Sequence, residues 1–158
     1  MLKPLDQLQE RFLNNAGLSN LQALMVFNLA PLTTRRDVAM LGLIHRTVLK
    51  KGPAQFQHYF ALQTRAKRAN TRGEARKEEH GKQLQDFRER SHLNVVRRSA
   101  LGLVAVYNLL PAQVVHSTTV KDFQVQLQEL VKQRAAGGCE DWELSLSPRV
   151  PLYRHPLR

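Results

Sequence analysis

Side chains able to do proton or metal chemistry are scattered along this chain. Six histidines stand at His45, His58, His80, His92, His116 and His155, with no His-Glu-x-x-His and no pair at i, i+4 that one helix face could offer a metal. His45 falls inside the apolar arc of a helical stretch, near Leu41 and Val48, where an imidazole is expected to hydrogen-bond within a core. A general base at His45 or His116 would need a carboxylate beside it. Cys139 is the only cysteine. It lies in "GGCEDWE", where neighbouring acids raise a thiol's pKa and disfavour nucleophilic chemistry. Glu78-Glu79-His80 reads as a solvated polar run. Neither Gly-x-x-x-x-Gly-Lys-Ser/Thr nor Gly-x-Gly-x-x-Gly occurs, so no phosphate-cradling loop is spelled out. These residues predict no cofactor, no metal and no catalytic activity.

Cations are the more informative groups. Against 13 Asp+Glu stand 24 Lys+Arg, a formal net charge of +11 over 158 residues. Residues 61–100 alone carry 11 basic and 5 acidic groups, a net of +6. Such a chain repels itself unless it meets a polyanion, and nucleic acid is the commonest one. Projected at 100° per residue, Arg35, Ala39, Gly42, Arg46 and Lys50 form one stripe of a helix, cations at both ends and small residues between. A phosphate backbone could approach it closely. Alternatively, Ala39 and Gly42 receive another helix while the cations reach to water. Arg65, Lys67, Arg68 and Arg72 form a second cluster, Arg97 and Arg98 a third.

Two adjacent arginines, Arg35 and Arg36, open that helix, where the dipole makes each cation unfavourable by about 0.3–1 kcal/mol unless something answers it. Adjacent Asp37 supplies one charge against two. Arg36 is expected to pair within the protein, with Asp37's helix turn or with a first-helix carboxylate such as Asp6 or Glu10. Arg35 is left to head the basic stripe.

The elements that must position these groups read as helices. Pro4, Leu5, Leu8 and Phe12 mark a first helix stopped at Gly17. Ser19 and Gln22 spell a capping box for a second, carrying Leu21, Leu24, Met25 and Leu29 and ended by Pro31. Thr33 or Thr34 can cap the third, which turns Val38, Leu41, Ile44 and Val48 to one face and stops at Gly52 before Pro53. A short turn follows through Phe56, Tyr59 and Phe60. Residues 63–83 offer no apolar face beyond Ala66, Ala69 and Ala75, and are either a solvated helix or a disordered basic linker. Order resumes near Leu84 and Phe87. Residues 97–115 are apolar almost all round, which predicts a core helix ending at Pro111. Its segment Ala100–Leu110 has more apolar surface than this chain alone is expected to cover. Thr119 and Asp122 start a last helix with Val120, Phe123, Leu127, Leu130 and Val131 on one stripe, closed by Gly137 and Gly138.

The fold class is therefore mainly α: a small multi-helix domain with an N-terminal helical part (1–62), a basic polar stretch (63–83), a C-terminal helical part (84–138) and an irregular, loosely docked tail (139–158) anchored by Trp142. The longest apolar run, Leu101–Leu110, is half the length a membrane span needs, and "MLKPLDQLQE" lacks the apolar stretch of a leader. An intracellular protein, cytoplasmic or nuclear, is expected, with no membrane partner.

The order of "LDQLQERFL", "LAPLTTRRDVAMLGLIHRTV", a polar basic gap, and "RRSALGLVAVYNLLPAQVVHSTTVKDFQVQL" resembles the region that follows the polymerase core in reverse transcriptases of non-LTR (LINE-type) retrotransposons. The match runs over about residues 5 to 131. Arg35 and Arg36 fall on that family's Leu-x-x-Arg-Arg element, Tyr107-Asn108-Leu109-Leu110-Pro111 on its aromatic-Asn-x-Leu-Pro element, and Phe123 with Leu127 on its closing helix. Tyr107 stands where the family more often has tryptophan. Polymerase chemistry needs clustered aspartates for two metals. The five aspartates here, at 6, 37, 86, 122 and 141, are isolated from one another. The resemblance implies a detached, noncatalytic C-terminal piece that holds template, primer or target nucleic acid, RNA or DNA, through phosphates and without base specificity. The alternative is a helical module whose partner is protein, for example a polymerase core. Read bottom-up, Asn108 would satisfy backbone groups at the turn Pro111 enforces, with Leu109 and Leu110 buried against the last helix.

Overall fold

The computed structural model describes residues 3–63, 80–86, 96 and 99–158. Its described elements are helical: α1 (Lys3–Asn15), α2 (Asn20–Phe27), α3 (Leu32–Val48), α4 (Ala54–Gln57), α5 (Leu103–Leu109), α6 (Ala112–Val115) and α7 (Val120–Ala136), followed by two short 3₁₀ turns, η1 (Trp142–Leu144) and η2 (Leu152–Arg154). None is long and apolar enough to cross a membrane.

Local signals set most of the boundaries. Gly17, at φ +66°, ends α1 in a paired left-handed stop: its N–H donates to Asn14 and that of Leu18 to Leu13. The capping box of α2 is present, Ser19 Oγ accepting from the Gln22 N–H at 3.2 Å and Gln22 Oε1 from the Ser19 N–H at 3.0 Å. At α7, Thr119 accepts from the Asp122 N–H at 3.1 Å.

The start and stop of α3 differ from the sequence reading. Neither Thr33 nor Thr34 caps it; Pro31 takes the cap position with no side-chain bond. Thr34 is buried inside the first turn and donates to the carbonyl of Glu143 at 3.1 Å, so it ties the helix to the tail. Asp37 lies past the first turn, too far along to answer the dipole there. The helix ends at Val48, and the left-handed residue behind it is Lys50 (φ 60°). Gly52 serves a close approach instead: a Cβ there would stand 2.5 Å from Thr47 Oγ1.

Around α3 the other elements assemble, with α7 packed along it and α1, α4, α5 and η1 also against it. Leu41, Ile44, Tyr107, Phe123, Leu127 and Val131 share one apolar cluster, which joins the N-terminal and C-terminal helical parts. The core helix ends before Pro111, as expected, with Pro111 opening a single further turn, α6; it begins only at Leu103, because residues 99–102 form a bend and turns. Leu103–Tyr107 are buried on every side and Leu110 with them, so this chain covers its own most apolar segment. The tail is firmly packed rather than loose. Trp142, Leu146 and Leu157 enter the core cluster, and an Arg134 guanidinium nitrogen donates to the Pro156 carbonyl.

Candidate nucleic-acid interface

Arg36 does pair internally. Its guanidinium donates to Asp6 Oδ1 at 2.7 Å, linking α3 to α1 with both side chains about 30% exposed. Arg35, one residue earlier, points elsewhere. It is exposed, and its side chain has no partner among the described residues.

The expected stripe from Arg35 to Lys50 is interrupted. Gly42, at its middle, is buried under α7: a Cβ there would meet Gln124 Nε2 at 2.5 Å. A helix, not a phosphate backbone, occupies that approach. Arg35 and Ala39 line a cavity with α2 and α7 residues. Arg46 stays on α3, exposed, its Nε donating to the Lys51 carbonyl at 2.9 Å. Lys50 has left the helix. The result is a compact corner of Arg46, Lys50 and Lys51 at the C-terminus of α3, where the helix dipole favours cations, roughly 16 Å along the axis from Arg35. Lys51 is the member of this corner that periodicity missed, because only the turn at Lys50 brings it there. Arg65, Lys67, Arg68, Arg72, Arg97 and Arg98 lie outside the described residues.

The chain on either side of residues 64–79 is held in place. Leu62 and Leu84 form an antiparallel bridge, with the Gln63 N–H donating to Gln83 at 2.7 Å and the Gln85 N–H to Ala61 at 3.1 Å. Asn108 secures the returning segment at Leu84 rather than the turn at Pro111. Its Oδ1 accepts from the Leu84 N–H at 2.8 Å and its Nδ2 donates to the Leu84 carbonyl at 2.9 Å, as a neighbouring strand would. Gln83 Nε2 and Lys82 Nζ add bonds to the carbonyls of Asn108 and Val115. His80 is buried rather than solvated, bonded to the Tyr107 carbonyl at 3.0 Å and edge-on to the Tyr107 ring.

The remaining motif residues are architectural. His45 is fully buried, stacked on Phe123 with ring centroids 4.0 Å apart. Its Nε2 faces the Ser117 carbonyl and its Nδ1 the Tyr107 hydroxyl, each at 3.0 Å. Since a carbonyl only accepts, Nε2 carries the proton and Nδ1 accepts from Tyr107. Burial lowers the His45 pKa and raises that of Tyr107, which keeps both groups neutral in this arrangement. Both nitrogens of His45 are thus committed within the core, and His116 is exposed. Leu110, Phe123 and Leu127 are buried, and Pro111 is partly buried at the α5–α6 turn. Asp37 is the unusual carboxyl: burial pushes it up to about 7, while the positive charges of Arg149 and Arg36 pull the other way. Among the described residues no group of three or more His, Cys, Asp and Glu side chains is placed to hold a metal ion.

No family model, curated protein or solved structure matches this chain.

Proposed function

We propose that this chain is a noncatalytic basic helical module that binds nucleic acid, RNA or DNA, through phosphates, in the manner implied by its resemblance to the region behind the polymerase core of a non-LTR reverse transcriptase. The observation that carries this reading is the charge: net +11 overall and +6 within residues 61–100. Arg46, Lys50 and Lys51 contribute an exposed corner in which no acidic side chain among the described residues is paired with them. Arg65, Lys67, Arg68, Arg72, Arg97 and Arg98 add cations whose contribution is read from the sequence. Affinity for a duplex or single strand should fall in the weak nonspecific range, a Kd of about 10⁻⁴ to 10⁻⁶ M at physiological salt. Anisotropy of a labelled oligonucleotide titrated at several salt concentrations tests it. A steep loss of affinity with salt is expected; no binding at low salt, or binding indifferent to salt, contradicts it.

A second reading, a module that docks on another protein, is favoured by a different observation. Leu5, Leu8 and Phe12 of α1 and Met25, Val26 and Phe27 of α2 are exposed, Val26 to 70%. Apolar surface gathered on two successive helices marks an interaction face more often than isolated residues do. A polymerase core is one such partner.

A further inference from the structure

The cavity beside Arg35 has a chemistry of its own. It lies where α2, α3 and α7 meet, with a volume of about 210 Å³. Leu24, Ala30, Val38 and Val131 give it an apolar lining, and all four belong to the buried core cluster. Asn28 and Gln128 close one side through an amide pair at 3.4 Å. Arg35 stands among the lining residues with no partner among those described. Thr34, the other polar α3 residue there, has its hydroxyl committed to the Glu143 carbonyl.

We infer that this cavity is a docking pocket for an acidic, amphipathic segment of a partner protein, one apolar side chain of which fills it while a neighbouring carboxylate pairs with Arg35. The inference rests on the docking reading and supplies its chemistry. Pockets for small organic ligands usually run to about 300–1,000 Å³, so this one suits a single side chain better than a whole cofactor. A sugar-phosphate backbone has no group to place against Leu24, Val38 and Val131. A flipped base would want an aromatic surface to stack on, and no aromatic residue among those described lines the cavity. A peptide satisfies both halves of the site at once. On α2, Leu21 and Phe27 stand three residues to either side of Leu24, therefore beside it on the helix surface, and both are exposed. They extend the apolar ground beyond the cavity mouth, as flanking contacts do around a central anchor. The partner's charge follows from this chain's own: at net +11, an acidic segment is drawn in and a basic one repelled. Arg35 then fixes orientation, its planar fork matching a carboxylate in a way a lysine would not.

The test uses the full chain, isotope-labelled, titrated with a short peptide of leucine and glutamate and with its leucine–glutamine counterpart, following backbone amide shifts. The expected result is a set of shifts confined to residues around Leu24, Val38, Ala39 and Val131. Affinity should be at least about tenfold weaker for the glutamine peptide and for Arg35→Glu, the equivalent of about 1.4 kcal/mol. A second variant, Ala39→Trp, should fill the mouth and block the peptide, while its unperturbed spectrum elsewhere confirms folding. Equal binding of both peptides, or of Arg35→Glu and the parent, overturns the inference. Shifts confined to Leu8 and Phe12 of α1 overturn the pocket yet leave the docking reading standing; no shifts with any peptide overturn both. If a DNA duplex moves the pocket amides and the peptide does not, Arg35 belongs to the nucleic-acid interface and the pocket assignment fails.

Discussion

Phe123 and Phe12 are both apolar members of a helical stripe, yet the fold treats them oppositely. Phe123, on α7, is fully buried, stacked on His45 and tilted against Tyr107. Phe12, on α1, is 61% exposed, with Leu5 and Leu8 on its flank exposed as well. Both stripes have the same period. The difference is that α7 lies along α3 and beneath the tail, whereas α1 buries Leu13 and is tied to the body by the Gln9 bond to the Ala30 carbonyl and the Arg36–Asp6 pair. Periodicity identifies the residues that share a face; it does not identify what covers that face, or whether the same chain does.

That contrast can be broken most forcefully by truncation. Phe123→Ala removes an aromatic ring from a closed core and should destabilise the protein by about 3–5 kcal/mol. Phe12→Ala should change stability by less than about 0.5 kcal/mol, since the ring it removes is already largely in water. Chemical denaturation of the two variants side by side checks this. Comparable losses would mean that α1 contributes to the core as α7 does.

A smaller effect is expected at Asn108. Replacing it with alanine leaves the Leu84 N–H and carbonyl without their partners and should cost about 1–3 kcal/mol. Hydrogen exchange locates the damage: protection should fall first at residues 82–85 while the α3–α7 amides hold.

The pH dependence sharpens the contrast at two groups, the half-buried Asp37 and the buried His45. Asp37 has a folded pKa raised to about 7 from an ordinary 3.8, so the folded protein holds a proton there that the unfolded chain has lost. Its contribution to stability is therefore present at low pH and declines as pH rises from about 4 to about 7. His45 works in the other direction. Its folded pKa is lowered by burial, so its contribution is present above an ordinary 6.5 and is lost as pH falls below that value. Asp37→Asn should flatten the decline toward neutral pH and leave the acid limb in place, as thermal melts across this range would show. A small effect is also expected of Arg36→Ala. The pair it breaks is about 30% exposed on each side and should be worth less than about 1 kcal/mol.

What could be read from the sequence, and what could not, follows the same division. Local chemistry was legible: the stop at Gly17, the Ser19–Gln22 box, the Thr119 cap and the mainly α class all depend on neighbours in the chain. So was Arg36, because an unanswered cation at a helix start demands a carboxylate within reach. Long-range pairing was not. Thr34 looks like a cap until the tail brings Glu143 to it. His80 looks solvated until the Leu62–Leu84 bridge carries it under Tyr107. Gly42 admits either a phosphate or a packed helix until Gln124 is laid across it. Of the candidate interface, the exposure of Arg35 and Arg46 agrees with the helical projection, whereas the corner at Lys50 and Lys51 exists only because the helix ends early. Asn108 was recognisable as a backbone-satisfying residue, but its partner, 24 positions away, was not.

The proposed function has nucleic acid held through phosphates at the cationic corner behind α3, with Arg35 serving a different site. It is tested most directly by the salt dependence of duplex affinity in the parent, in the triple variant Arg46→Glu, Lys50→Glu, Lys51→Glu, and in Arg35→Glu. Each phosphate contact contributes about 0.9 to the slope of log K against log salt. The account predicts that the triple variant loses about two to three units of slope with its melting temperature little changed, while Arg35→Glu keeps a slope close to that of the parent. An unchanged slope in the triple variant, or its loss in Arg35→Glu alone, would contradict the account.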